Sequence, residues 1–342
     1  MPIPQANNTT TTIHQTIPIT QYIHGILFLL EGNAQVFGNS LILAAIVRNK
    51  HLRRREYVNI VALAIADCVY GLNQLLNAPW RMYLTIYGIS TNPIDPKLCL
   101  FRPMIHFQLL SGYITPTVLL IVSIDRLIAC SSIQLYCSIT TKMNIVFMAL
   151  AYIAGFLLYS FSMITSIYLA VPGKYAQQRC RISFVTPPIV SMLFWNYQLI
   201  VSILSVIIYA WAFKKLRGDG GDSQLSEVMR RNKERQSAVT KTLSWVSIFT
   251  VFFFILPLSV MIYINITKSK AMIKYGMGMN MFIIMNTNSI NNIFIYFYKN
   301  AALREGILSM FRFGKREVTT VNVLHNINHN DKDHTSHLTN AA

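Results

Sequence analysis

Two sets of ionisable side chains lie in apolar surroundings in this chain. The pair Asp125-Arg126 closes the third of seven long apolar stretches, and the carboxylate of Asp67 falls in the middle of the second. Charged groups inside a membrane are costly unless they are paired or hydrated, so they generally mark a functional site. A carboxylate there can bind a cation, and an arginine can change ion-pair partners. The alternative for Arg126 is an arginine that only extends its charge toward the membrane surface.

The stretches that position these groups are long enough to cross a bilayer. The chain has 342 residues, 53% of them hydrophobic and 13% charged, with a mean hydropathy of +0.41. A soluble chain of this size would carry more charge, so most apolar residues must face lipid. The stretches show no strand alternation, and their backbone groups must be satisfied internally, which leaves helices. We therefore expect an all-α membrane protein, a seven-transmembrane helix bundle. Its predicted spans are 22–47, 58–79, 101–128, 143–171, 188–213, 238–264 and 277–298.

The charge distribution predicts the orientation of the bundle. Most of the 30 Lys and Arg lie in alternate connections and in the C-terminal tail, and residues 1–21 contain none. The positive-inside rule places 1–21 outside as a polar tail and 314–342 in the cytoplasm of a cell membrane. Residues 299–313 are amphipathic and predict a helix on the inner leaflet. Since residues 1–21 lack the features of a signal peptide, the first span is expected to direct insertion. The net charge of +17 reflects topology, which disfavours a nucleic-acid partner.

Two cysteines, Cys99 and Cys180, fall on the predicted external side. Thiols in an oxidising space tend to pair, so we expect a disulfide, with two unrelated free thiols as the alternative. Asn7 and Asn8 begin overlapping Asn-x-Thr motifs in the external tail and are predicted glycosylation sites.

Five motifs, each on its own span, carry a resemblance to rhodopsin-like (class A) G-protein-coupled receptors. In chain order they are Gly38-Asn39, Leu63-Ala64-Ile65-Ala66-Asp67, Asp125-Arg126-Leu127, Phe254-Ile255-Leu256-Pro257 and Asn288-Ser289-Ile290-Asn291-Asn292-Ile293-Phe294-Ile295-Tyr296. The family usually has a tyrosine after the arginine, a tryptophan in the sixth span and a proline in the seventh. These departures, together with Leu52-Arg53-Arg54-Arg55, make the chain similar to nematode serpentine chemoreceptors of the Srsx type.

The resemblance implies roles for individual residues. Binding of an extracellular ligand would move the sixth span outward, with Pro257 as its hinge, and so activate a heterotrimeric G protein. Arg126 would be held by Asp125 at rest and turn toward Tyr209 and Tyr296 on activation. The sixth-span acidic partner of this arginine in the family is replaced by Ser237. The activation switch would comprise Asp125, Arg126, Tyr209, Pro257, Asn292 and Tyr296.

The resemblance also implies a sodium ion as the only candidate cofactor, bound at Asp67. A hydrogen-bonded cluster without an ion is the alternative. The polar pocket around the ion would consist of Asn39, Asp67, Thr115, Asn288, Ser289 and Asn292.

The expected ligand is a small chemosensory molecule or a peptide. Counting from Arg126 places Gln108 in the third-span ligand position, whereas counting from Cys99 places His106 there. Neither is acidic, which disfavours a protonated amine. Ile255 would lie beneath the ligand, and Asn286 occupies the retinal-lysine position of opsins. Predicted external segments carry eight Lys and Arg against Asp95 alone, which would attract anions unless these cations are simply solvated.

Two other functional classes are less well supported. The sequence contains no HExxH, G-x-S-x-G or GxxxxGK[ST] pattern, so an enzyme is not expected. A ligand-gated channel or a transporter with seven helices is the alternative function, although no inverted repeat is evident.

Overall fold

The computed structural model describes residues 19–132, 136, 138–169, 176–218, 237, 240–242, 244–267 and 277–312. Its long helices are arranged as a bundle of seven spans. We number these spans one to seven: Ile19–Arg48, Arg55–Ile86, Pro103–Ser131, Thr141–Tyr168, Pro188–Gly218, Thr240–Thr267 and Met277–Lys299. The first six are long and apolar enough to cross a membrane. The chain is therefore an all-α, multi-pass membrane protein.

Span seven is less apolar than the others because it carries a series of amide side chains. Asn286, Asn288, Ser289 and Asn292 are all buried. The polar side of this helix thus faces the bundle, where side chains of other spans can satisfy it, while its apolar side is left for lipid. This arrangement explains how a helix so rich in asparagine serves as a span.

Several helices extend beyond the spans predicted from hydropathy. Span two continues through Pro79 to Ile86, well past the predicted end at residue 79. The helix after span seven runs over Ala301–Phe311 and is capped by Asn300, whose side chain accepts a hydrogen bond from the Leu303 amide at 3.0 Å. Hydropathy marks only the part of a helix that lies in lipid, so polar ends are missed.

One end of the bundle is closed by a short two-stranded sheet and a disulfide. Strand β1 (Pro93–Ile94) pairs antiparallel with β2 (Ala176–Gln177). Cys99, in the short helix Pro96–Leu100, is bonded to Cys180, with their Cα atoms 5.4 Å apart. This confirms the predicted pairing. We call this the disulfide end of the bundle and the opposite end, where span three terminates, the Arg126 end.

Candidate functional site

At the Arg126 end, the arginine is fully buried and bound to its neighbour. Arg126 Nε donates to Asp125 Oδ2 at 3.0 Å, and Nη2 of the same guanidinium also donates to this oxygen. Nη2 additionally lies 3.3 Å from the hydroxyl of Tyr136, in the segment that follows span three. Burial raises the pKa of Tyr136, while the positive charge of Arg126 opposes that rise. The predicted resting pair of Asp125 and Arg126 is thus formed in this structure.

A second arginine, Arg55, holds the other oxygen of the same carboxylate. Its Nη2 lies 2.8 Å from Asp125 Oδ1, and its Nη1 donates to the carbonyl of Tyr136 and, at 3.0 Å, to that of Ile139. The Arg55 guanidinium also lies 3.6 Å from the ring centroid of Tyr136. Asn59 completes the set by donating to Asp125 Oδ2 at 2.7 Å. Asp125 therefore joins spans two and three to the segment around Tyr136.

The sequence marks Arg55 only as one of several loop cations, so this role was missed. Burial separates it from its neighbours, because Arg54 is exposed whereas Arg55 is buried. A helix begins at Arg55, and this places its side chain toward the bundle. The pattern of residue types alone contains no signal for that difference.

Replacing Arg55 by glutamine is expected to destabilise the protein far more than replacing Arg54 by glutamine. Arg55→Gln removes a buried ion pair and two hydrogen bonds to carbonyls, but Asp125 keeps Arg126 and Asn59. We expect a loss of about 2–3 kcal/mol, below the full cost of an unpaired buried charge. The thermal midpoint of both purified variants measures this. Equal midpoints would show that the Arg55 contacts contribute nothing to stability.

Two tyrosines of the hydrophobic core at this end of the bundle have hydroxyl groups without partners in the described residues. Tyr209 of span five and Tyr296 of span seven are buried, and neither hydroxyl has a hydrogen-bond partner within the described residues. Leaving buried polar groups unpaired costs free energy. A guanidinium released from Asp125 could donate to both, which is the movement that the sequence predicts for Arg126.

Midway along the bundle, Asp67 accepts hydrogen bonds from two residues of span seven. Ser289 Oγ lies 2.7 Å from Oδ1, and Asn292 Nδ2 lies 3.3 Å from Oδ2. Thr115, Asn288 and Ser289 line a small cavity of about 30 Å³ between spans two, three, five, six and seven. The structure thus brings most of the predicted polar pocket together. Three amide oxygens of that pocket lack a donor among the described residues: Oδ1 of Asn39, Asn288 and Asn292.

Span six contains a π turn directly before Pro257. The turn covers Val251–Ile255, and the Leu256 amide donates to the Val251 carbonyl. A proline cannot donate to the helix ladder and its ring crowds the preceding turn, so local rearrangement is expected here. Pro257 itself is buried, as a hinge near the bundle centre requires.

The π turn changes which side chain faces the small cavity. Phe254 lines it, and the predicted Ile255 is not among its lining residues. Counting back from Pro257 assumes α-helical spacing, whereas a π turn holds one extra residue and rotates the preceding part of the helix. The structure thus turns Phe254, and not the predicted Ile255, toward this small cavity.

A larger cavity opens at the disulfide end. This outer cavity has a volume of about 470 Å³ and lies between spans two, three, five, six and seven and the segment after Cys180. Gln108, the residue given by counting from Arg126, lines this cavity. His106 does not line it; its Nδ1 lies 2.7 Å from the hydroxyl of Tyr159 in span four. The two-residue difference between the counts turns His106 away from the cavity.

Asn286, also expected at the ligand, lies deeper in the bundle. Its Oδ1 accepts from the Tyr70 hydroxyl, its Nδ2 lies 3.2 Å from Glu31 Oε2, and its carbonyl accepts from Gln35. These contacts join spans one, two and seven. Asn286, which the sequence analysis places in the ligand pocket, does not line the outer cavity with Gln108.

The geometry of the two ends and the order of the motifs agree with one family model. Residues 34–311 match the serpentine type 7TM GPCR chemoreceptor Srsx family. The chain belongs to this family. The matched range begins in span one, includes the Arg126 pair, the Asp67 cluster and the disulfide, and ends at the last residue of the helix after span seven. No curated protein matches the chain.

Membership of the Srsx family gives a receptor class rather than an enzyme class. It also agrees with the seven helical spans and the disulfide seen in the structure. The structure accounts for two departures from the wider receptor pattern. Phe254 faces the cavity where Ile255 was expected, and Arg55 assists Asp125. The predicted glycosylation sites Asn7 and Asn8 lie outside the described residues.

Proposed function

We propose that this protein is a chemosensory receptor that binds its ligand in the outer cavity and activates a heterotrimeric G protein at the Arg126 end. The disulfide end would then be extracellular, with the N-terminus outside and the C-terminus in the cytoplasm, in agreement with the charge distribution. Outward movement of span six about the π turn and Pro257 would connect the two ends. The lipid bilayer surrounds the bundle.

The observation that carries this proposal is the buried switch at the Arg126 end. A fully buried arginine is held by one carboxylate at the end of the bundle where two buried tyrosine hydroxyls have no partners in the described residues, so a second set of contacts would be open to it. Such an element can be biased by a ligand elsewhere, which is what coupling between two sites requires.

The test is a screen of small molecules against cells that express the full-length receptor, with nucleotide exchange on the G protein as readout. We expect at least one compound to stimulate exchange in receptor-expressing cells only. The channel alternative is distinguished by recording from cells that lack functional G proteins. Ligand-evoked current in those cells, without exchange in the first assay, would overturn the proposal.

We also propose that the Asp67 cluster binds a sodium ion. The fit rests on its oxygen atoms, because the carboxylate is accompanied by the donor-free amide oxygens of Asn288 and Asn292. Hard cations are bound by oxygen ligands of this kind. The described residues contain no group of three or more His, Cys, Asp or Glu side chains that could hold a metal ion, so transition-metal chemistry is not indicated. A bound ion would supply positive charge next to Asp67.

Sodium is expected to stabilise the resting receptor through Asp67. An ion that prefers this state must oppose agonist binding by the same factor, so a coupling of about 1–2 kcal/mol predicts roughly five- to thirty-fold weaker agonist affinity in saturating sodium. The same ion should raise the thermal midpoint of the ligand-free protein. Asp67→Asn keeps the hydrogen-bonding shape but removes the charge, and should abolish both effects. The control replaces sodium by an impermeant organic cation. If the wild-type midpoint does not distinguish the two, the cluster is structural only.

A further inference from the structure

Hydrogen-bond donors without acceptors converge on the outer cavity. Arg181 lines it and has no hydrogen-bond or ion-pair partner among the described residues. Trp195 Nε1, another lining group, is buried without an acceptor. The Arg81 guanidinium donates to the Asn77 side-chain oxygen at 2.9 Å, lies 3.4 Å from the Met279 sulfur, a weak acceptor, and lies 5.5 Å from the centroid of the Phe28 ring. Trp195 Nε1 is thus a buried donor without an acceptor among the described residues, and two half-buried guanidinium groups line the same cavity. Buried donors normally have partners, so this combination indicates that a ligand supplies the acceptor.

Within the described residues, no carboxylate forms an ion pair with Arg81 or Arg181. Only 13 Asp and Glu occur in the whole sequence, and at the disulfide end Asp95 alone belongs to a connecting segment. That carboxylate accepts from the Lys97 amide at 2.8 Å as a helix cap. Glu31, within span one, accepts from Asn286. The positive charge around the outer cavity is thus not neutralised from within the protein.

Neighbouring positive charge adds to this imbalance. Burial lowers the pKa of Arg181, and the positive charge of Arg179 lowers it further. Arg179 donates to Gln21 Oε1 at 2.7 Å and to Ser90 Oγ at 3.0 Å, both neutral acceptors. Bringing a cation or a neutral molecule into the cavity would leave this repulsion in place. An anion would relieve it.

Much of the remaining cavity wall is apolar, and the backbone of Arg181 is held in place. Phe184, Met261, Ile264 and Phe282 supply aromatic and aliphatic surface. Arg181 follows the bridged Cys180, and its carbonyl accepts from the amides of Phe184 and Val185 at the start of a short helix. A volume of about 470 Å³ falls in the range of small-molecule sites.

We propose that the outer cavity binds an organic anion with an apolar body, whose acidic group pairs with Arg81 and Arg181 and accepts a hydrogen bond from Trp195. The inference rests on the proposed receptor function only in taking this cavity as the ligand site. Arginine forks are well suited to carboxylate recognition because two N–H groups can bind two oxygens in parallel.

The experiment compares carboxylates with their neutral amides on full-length receptor in nanodiscs of zwitterionic lipid. The probes are butanoate, octanoate and 3-phenylpropanoate with the corresponding amides, observed by saturation-transfer NMR, and empty nanodiscs provide the blank. We expect at least one carboxylate to bind about tenfold more tightly than its amide, the difference expected for charge-assisted hydrogen bonds. If no carboxylate exceeds its amide, the inference is wrong. The assay contains no G protein, so its outcome is independent of whether the receptor couples to one.

Variants distinguish pairing in the cavity from attraction by surface charge. Arg181→Gln and Arg81→Gln should each lower carboxylate affinity about five- to tenfold and leave amide binding unchanged. Arg181→Lys keeps the charge and should retain part of the preference. The matched control is Arg102→Gln, because Arg102 lies 3.8 Å over the Trp80 ring and does not line the cavity. Equal losses in Arg102→Gln and Arg181→Gln would overturn the proposal.

Discussion

Replacing Arg126 by alanine is expected to abolish ligand-evoked nucleotide exchange while the receptor still folds and reaches the cell surface. In the active state the released guanidinium would donate to Tyr209 and Tyr296, whose hydroxyls are buried and have no partner in the described part of the chain. Two charge-assisted hydrogen bonds are together worth about 3–6 kcal/mol, so exchange should fall about a hundredfold or more.

We expect the variant to fold because the buried Asp125 carboxylate keeps other partners. Without Arg126, Asp125 still has Arg55 at 2.8 Å and Asn59 at 2.7 Å. The measurement is nucleotide exchange with an agonist from the small-molecule screen, normalised to surface expression. Arg54→Ala is the matched control, since it removes an exposed arginine at the same end of the bundle. Undiminished exchange in Arg126→Ala would remove the basis for the proposed switch.

The helices and the Asp67 cluster are features that could be predicted from the sequence. Span lengths follow from the thickness of the bilayer, so apolar runs locate the helices without any alignment. A carboxylate in lipid needs polar partners, and the resemblance to class A receptors implies which residues these are; Ser289 and Asn292 on span seven contact Asp67. The first inference depends on the membrane as a solvent, and the second also depends on the motifs of the family.

The errors arise where side-chain direction depends on local geometry. Ile255 was placed by α-helical counting from Pro257, but the π turn presents Phe254 instead. His106 and Gln108 are two residues apart, and only the helix phase decides that Gln108 lines the cavity. The sequence does not distinguish Arg55 from the other loop cations, because its side chain donates to the carbonyls of Tyr136 and Ile139, which are far away in sequence. Residue types do not contain this information.

Removing the bridge by the double change Cys99→Ala and Cys180→Ala is expected to cause the largest loss of stability. The two cysteines are 81 residues apart in sequence, and closing a loop of this length contributes up to about 4 kcal/mol in the chain-entropy model. Spans three and four lie within that loop, and their insertion into the bilayer already restricts the unfolded chain, so the figure is an upper value.

The loss should also appear in ligand recognition, because Arg181 directly follows Cys180. We expect a thermal midpoint lower by up to about 8–16 °C, together with a weaker preference for carboxylates over amides in the outer cavity. Cys68→Ala is the matched control, since Cys68 is a free cysteine in span two. If the double variant and Cys68→Ala have the same thermal midpoint, the bridge contributes no stability. If it melts lower but keeps the full carboxylate preference, the bridge stabilises the bundle without positioning Arg181.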